Sequence, residues 1–264
     1  MDAFEVTAPL VPWLVVAGAS NVSRGLPRLF AAVRGRSGGP VDGFVAAGHG
    51  RSYGADSRVA WRKLPSILGC GLWRALDRVP RDHPPPMALV TDIGNDLLYG
   101  FAPDEVTGWV ETTVARLAER QARLVVTRLP LASLATVGPL RYRSLRAFYV
   151  PRCRLSLAEL RTAVDRLEEG VAKVASRYGA TLLEQPGEWY GIDAIHVRRR
   201  RLDRLWERVC TGWGLPTNAV RRATIGEWMR IGAQGAEVRV IAGRRRFTRQ
   251  PAVRLADGSR IWLY

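Results

Sequence analysis

Apolar runs of strand length alternate with stretches whose apolar residues recur every three or four positions. The run Val11–Ala17 (VPWLVVA) is continuous and short, which predicts a strand buried on both faces. Leu26, Leu29, Phe30 and Val33 then fall on one face of a helix, with Pro27 suited to an early helical position. Gly43–Ala47 predicts a second strand. A glycine-rich loop, AAGHGRSYG, and a helix in PSILGCGLWRALDRV follow it. The three prolines of RDHPPP cannot continue a helix and read as a stiff linker. Met87–Thr91 predicts the third strand, Pro103–Gln121 an amphipathic helix and Arg123–Leu129 the fourth strand. Residues 130–155 read as a long connection. Ser156 then caps a helix reaching Tyr178, with Glu159 completing a capping box. Ala180–Glu184 predicts the fifth strand, and a last core helix spans 199–212.

Strands alternating with helices predict an α/β fold, a three-layer α/β/α sandwich on a five-stranded parallel sheet. The tail differs. Thr217–Gly232 reads as a helix, and EVRVIAG, PAVRLA and SRIWLY alternate as strands around the turn Ala256-Asp257-Gly258-Ser259. The expectation is a main domain over 1–215 and a C-terminal appendage over 216–264. Within the appendage, 236–264 would form a small antiparallel β unit packed on the main domain.

Composition narrows the class. The chain has 264 residues, 47% of them hydrophobic, which suits a globular protein and argues against disorder. No apolar run approaches the ~18–20 residues of a membrane span. The opening MDAFEVTAP carries two acids and no base, a poor secretory signal, so the expected location is cytoplasmic. Cys70, Cys153 and Cys210 show no C-x-x-C spacing and read as packing residues, and no metal or other cofactor is expected. Charge is the outlier. Forty basic residues, all arginine except Lys63 and Lys173, face 24 acids for a net +16. Such a surface attracts polyanions, but no helix-turn-helix, zinc finger or RNA-binding aromatic motif accompanies it, so no specific nucleic-acid partner is expected.

In parallel sheets, ligands bind beyond the carboxyl ends of the strands. Polar motifs follow four of the five predicted strands. After the first comes Gly18-Ala19-Ser20-Asn21, where Ser20 is either a helix cap or a nucleophile at a helix N-terminus. After the second come Gly48, His49, Gly50, Arg51 and Ser52; after the third, Gly94-Asn95-Asp96. After the fifth comes Asp193-x-x-His196, in which an acid three residues before a histidine can fix its tautomer. His83 sits in the proline linker and reads as surface. Ser23, one turn beyond Ser20, is a rival nucleophile.

These four blocks, in this order, resemble the SGNH hydrolase superfamily, also called GDSL-type esterases and lipases, over most of residues 11–212. The resemblance implies a flavodoxin-like sheet and a serine esterase acting through an acyl-enzyme on a small-molecule ester or acylated substrate. It implies Ser20 as nucleophile, His196 as base and Asp193 as its partner. The oxyanion hole would combine the Ser20 N–H, the N–H of Gly50 (or Gly48) and the Asn95 amide. Near this site, Gly48, His49, Arg51, Trp189 and Tyr190 are candidates for substrate contact. The acid usually found before the nucleophile is alanine here, Ala19; Asn21 or Asp92 would have to supply its support. An acyltransferase would use the same residues. A non-catalytic protein on the same fold, or a polyanion-binding one, is the reading that the missing acid and the +16 charge favour.

Overall fold

The computed structural model describes residues 11–217 and 220–264. The acidic opening MDAFEVTAP lies outside them. Strand β1 (Trp13–Ala17) leads into helix α1 (Ser20–Ser37), and strand β2 (Asp42–Ala46) returns parallel to β1 with Trp13 opposite Asp42. A short antiparallel hairpin follows, β3 (Ser57–Val59) and β4 (Arg62–Leu64), and then helix α2 (Leu72–Asp77). The next elements are β5 (Met87–Val90), α3 (Asn95–Leu98), α4 (Pro103–Ala118) and β6 (Arg123–Thr127). Helices α5 (Leu131–Ala135), α6 (Pro139–Tyr149) and α7 (Leu157–Arg177) precede β7 (Thr181–Leu183). The chain closes with α8 (Leu202–Gly212), α9 (Ile225–Gly232), β8 (Val238–Ile241), β9 (Arg244–Phe247), β10 (Val253–Arg254) and β11 (Arg260–Leu263).

The five expected strands are β1, β2, β5, β6 and β7. They lie side by side in the order β2-β1-β5-β6-β7, all parallel. Period-2 geometry divides their side chains between two cores. Trp13, Val15 and Ala17 of β1 pack on the face covered by α4 and α7, through Val110, Val114, Leu167 and Val171. Leu14 and Val16 pack on the opposite face with Leu29 and Phe30 of α1 and Leu205 and Trp206 of α8. Helix α7 starts where expected. The Ser156 Oγ accepts from the Glu159 N–H, and the Glu159 carboxylate accepts from the Ser156 N–H at 2.7 Å.

Several expectations change. The sheet has seven strands, because β11 adds parallel to β2 and β10 pairs antiparallel with β11. An uncovered β2 edge would leave a row of unpaired backbone groups. β11 closes it, with Trp262 stacked on Phe44 at 4.7 Å and the Tyr264 N–H donating to the Val45 carbonyl at 2.8 Å. Residues 236–264 therefore do not form one β unit. β8 and β9 join β3 and β4 in a separate antiparallel sheet of order β3-β4-β8-β9. The expected helix at 65–79 shrinks to α2, since Gly69 and Gly71 are weak helix formers. The expected tail helix begins at Ile225, where Thr224 and Glu227 make a capping box; residues 218–219 of that expectation lie outside the described residues.

Pro27 also lies well inside α1, which starts at Ser20. The long connection 130–155 contains two helices, α5 and α6. Arg34 of α1, buried, ties the tail to the core through Glu227 and Asp257, each at 2.6 Å. No helix of the described residues is long and apolar enough to cross a membrane. Cys70, Cys153 and Cys210 are buried and unpaired, and burial pushes the Cys210 thiol up to about 11.

Candidate active site

Only Gly18 and Ala19 separate the end of β1 from Ser20, so the chain turns directly from strand to helix at that side chain. The first N–H groups of a helix have no partner inside it. Here the side chain of Ala19 supplies none. The acceptor comes instead from the loop after β5. Asp92 Oδ2 accepts from the backbone N–H groups of Ala19 at 2.9 Å, Asn21 at 2.9 Å and Val22 at 3.3 Å, while Oδ1 accepts from the Asn21 amide at 2.8 Å. A carboxylate at that end of the helix also complements its dipole. The N–H of Ser20 itself is left without an acceptor among the described residues.

The side chain of Asn21 reaches the other way to the loop carrying His196. Its Nδ2 donates to the Ile195 carbonyl at 3.2 Å, and its Oδ1 accepts from the Val197 N–H at 2.9 Å. One asparagine next to Ser20 thus grips the residues on both sides of His196. Within that loop, the Asp193 carboxylate accepts from the His196 N–H at 3.0 Å and pairs with Nδ1 at 2.8 Å. Ala194 adopts a left-handed conformation, φ 59°, which bends the four residues tightly enough for both bonds. Burial raises the Asp193 carboxyl, but the His196 side-chain and backbone hydrogen bonds outweigh it and hold it below the usual range. Ser20 Oγ and His196 Nε2 make no hydrogen bond to each other here; catalytic hydrogen bonds of this kind tighten in the Michaelis complex.

Helix α3 organises the loop after β2. Gly94 enters it at φ 118°, a conformation open to glycine. The Asn95 amide donates to the Arg51 carbonyl at 3.4 Å, and the Tyr99 hydroxyl to the Gly50 carbonyl at 2.5 Å. Asp96, fully buried, accepts from the Ser52 hydroxyl and from the Tyr53 N–H at 3.2 Å. Burial raises its carboxyl above the usual value against those two hydrogen bonds. Gly50 is left-handed, φ 65°, and a Cβ there would meet the Tyr99 hydroxyl at 2.6 Å. Its N–H has no acceptor among the described residues. Gly48 instead packs against Leu64 of β4.

Ser20, Asn95 and Ile195 line one crevice of about 80 Å³, floored by Asp92 and Gly94. Tyr190 reaches its edge, with its hydroxyl donating to Gln185 Oε1 at 2.7 Å and burial raising its pKa. Tyr190 also bridges to Val197, which closes the loop that carries Asp193 and His196. From outside, Arg141 of α6 pins the same loop by donating to the Ile192 carbonyl at 2.6 Å and the Gly191 carbonyl at 3.0 Å. Nothing in the sequence marked Arg141, one arginine among many, for this position.

Two candidates for substrate contact are corrected. Arg51 is fully buried and donates to the backbone carbonyls of Ala47, Pro65, Ser66 and Tyr264. Its donors are consumed by the fold, so none faces a substrate. Trp189 is a core residue packed with Leu202 and Leu205, under the Arg208 guanidinium at 4.7 Å. Ser23, the rival nucleophile, spends its hydroxyl on the Ala19 carbonyl at 3.0 Å. His49 is exposed and lines a different hollow, with Ser23, Arg62 and Trp228. Partial desolvation lowers its pKa, helped by the charges of Arg62, His196 and Arg24. Among the described residues, no three His, Cys, Asp or Glu side chains gather as a metal site.

No protein-family model and no curated protein matches the sequence. Solved structures do. An acetyl xylan esterase, AlAXEase, superposes with a TM-score of 0.50 at 10% identity, covering 75% of this chain and 98% of its own. The native M. smegmatis aryl esterase gives 0.48 at 13% identity, covering 76% and 99%. The psychrotrophic esterase EstA from Pseudoalteromonas sp. gives 0.44 at 13% identity, covering 75% and 94%. At such identities the likeness is one of fold alone, an α/β architecture with a parallel central sheet.

Proposed function

We propose that the protein is a serine esterase that cleaves a carboxylic ester through an acyl-enzyme. Ser20 Oγ attacks the ester carbonyl while His196 Nε2 takes its proton. Asp193, ionised and bound to Nδ1, fixes the tautomer and stabilises the imidazolium that forms. The carbonyl oxygen becomes an oxyanion facing the N–H groups of Ser20 and Gly50 and the amide of Asn95. Donors preorganised toward such an oxygen are worth about 3–4 kcal/mol each. Asn95 has two amide hydrogens, and its weak bond to the Arg51 carbonyl occupies one, leaving the other for the oxyanion. The leaving alcohol takes the proton from His196. Water, deprotonated by the same nitrogen, then attacks the acyl-enzyme and releases the acid. Nucleophile, base and donors all come from the chain, so the scheme calls on no metal or cofactor.

The observation that carries this reading is the double grip of Asn21, adjacent to Ser20, on Ile195 and Val197, the neighbours of His196. A helix cap needs no such link, whereas a nucleophile needs its base held beside it. The test is labelling of the purified protein by a fluorophosphonate probe, with Ser20→Ala as control. Labelling of the wild type alone, with hydrolysis of an aryl ester, is the expected result. A folded wild type that is neither labelled nor active overturns the proposal.

A further inference from the structure

A second, larger space adjoins the Ser20 crevice. It measures about 450 Å³, and its walls come from α5, α6 and α7 together with Asp193, Ala194 and Ile195. Leu131, Leu134, Leu145, Leu157, Leu160 and Val164 are among its walls. The tyrosine and arginine side chains at its edge are engaged elsewhere, and Asp165 sits exposed at its rim. The Tyr142 hydroxyl donates to the Leu155 carbonyl at 2.7 Å, Arg146 to the same carbonyl at 3.1 Å, and Arg161 to the Val137 carbonyl at 3.0 Å. What remains facing the space is largely hydrocarbon.

The space is a cleft open to solvent on one side, with exposed Tyr149 on its wall. It falls in the range of pockets that hold small molecules, ~300–1,000 Å³. Its relation to the catalytic groups narrows the occupant. Leu98, Leu134, Leu160, Val164 and Ile195 line both this cavity and the crevice that holds Ser20 and Asn95. These shared aliphatic side chains stand between the two spaces, and Leu98 and Leu134 among them are half-buried. The Tyr149 ring, another cavity wall, stands 6.0 Å from the His196 ring. An acyl group bonded to Ser20 that ended at acetyl would use the small crevice and leave the cavity empty.

We infer that this cavity takes the alkyl chain of the substrate's acyl group, so that the preferred ester carries a medium-length apolar chain and not acetyl. The inference rests on the esterase reading of Ser20. Each methylene moved from water into an apolar site contributes enough to raise kcat/KM about fourfold.

The experiment compares p-nitrophenyl acetate, butyrate, octanoate and dodecanoate. For the wild type, kcat/KM is expected to climb about fourfold per methylene until the cavity is full, then level off. Leu145→Trp, which fills the cavity from α6, should lower the dodecanoate-to-acetate ratio at least tenfold. Leu131→Trp, from α5, serves if the first variant does not fold. In parallel, calorimetry measures dodecanoate binding to Ser20→Ala, without any catalysis. Saturable binding that Leu145→Trp removes supports the inference. Hydrolysis of acetate with a flat chain-length profile overturns it and leaves the esterase reading intact. Absence of all hydrolysis and labelling overturns the esterase reading, and the calorimetry still decides the cavity: no dodecanoate binding overturns that as well.

Discussion

Asn21 and Asp92 are joined twice: the Asn21 amide donates to Asp92 Oδ1 at 2.8 Å, and the Asn21 backbone N–H donates to Oδ2 at 2.9 Å. The link sets both ends of the proposed catalytic apparatus. Asp92 holds the first turn of α1, where Ser20 sits, and Asn21 passes the constraint to the His196 loop. It also supplies what Ala19 lacks, an acceptor for the nucleophile turn.

Asp92→Ala should therefore damage stability and turnover together. It strands three backbone N–H groups and the Asn21 amide. Bonds to a charged acceptor are worth ~1.5–3 kcal/mol each, with water replacing part of the loss at a helix end, so about 3 kcal/mol in urea denaturation is expected. Release of the Asn21 grip by about 1 Å lowers kcat by about 100-fold. Asp92→Asn keeps one acceptor oxygen and should recover part of both. Full activity in Asp92→Ala would show that the turn is held by other groups.

Asn95→Ala separates chemistry from structure. Its recorded bond, to the Arg51 carbonyl at 3.4 Å, is long and contributes at most about 1 kcal/mol to folding. As an oxyanion donor its loss costs about 10²–10³ in kcat. Paired denaturation and ester kinetics should show the stability loss small and the kcat loss large. Equal, small losses would return Asn95 to the role of a turn residue.

Much of this layout was legible because it is local. The buried strands announce themselves as short apolar runs, such as Met87–Val90, and the α7 start is written in Ser156 and Glu159. The pairing inside Asp193-x-x-His196 needs one turn and no distant partner. The illegible parts depend on contacts far apart in sequence. β11 alternates like any edge strand, and nothing in Arg260–Leu263 says that it will lie parallel to Asp42–Val45. β3 and β4 are three residues each and polar, SRV and RKL, below the length at which period shows. Arg51 resembled an exposed loop arginine because burial of a cation requires acceptors, and four of its carbonyls come from positions up to Tyr264.

Arg51→Met tests that correction. The methionine fills similar apolar space but donates nothing, leaving the carbonyls of Ala47, Pro65, Ser66 and Tyr264 without their guanidinium donor. A buried acceptor left unpaired costs about 1–3 kcal/mol, so a loss of at least that size is expected. Thermal or urea unfolding should register that loss, and KM of the folded fraction should stay within about twofold, since no donor of Arg51 reaches a substrate. A large rise in KM with unchanged stability would restore Arg51 as a binding residue.

Asp96 gives the protein a pH dependence of defined sign. Burial raises its carboxyl pKa in the folded state above the unfolded value of about 4. The folded protein then binds more protons than the unfolded chain across that interval, and stability falls as pH rises through it. Below the unfolded pKa the contribution is fully present; above the folded pKa it is gone. Asp96→Asn can still accept from the Tyr53 N–H and donate to the Ser52 hydroxyl, but cannot titrate. The wild-type stability minus that of Asp96→Asn, measured by urea denaturation from pH 4 upward, should therefore decline with pH and then level off. A difference that grows with pH would mean that the Ser52 and Tyr53 hydrogen bonds outweigh burial and hold Asp96 ionised.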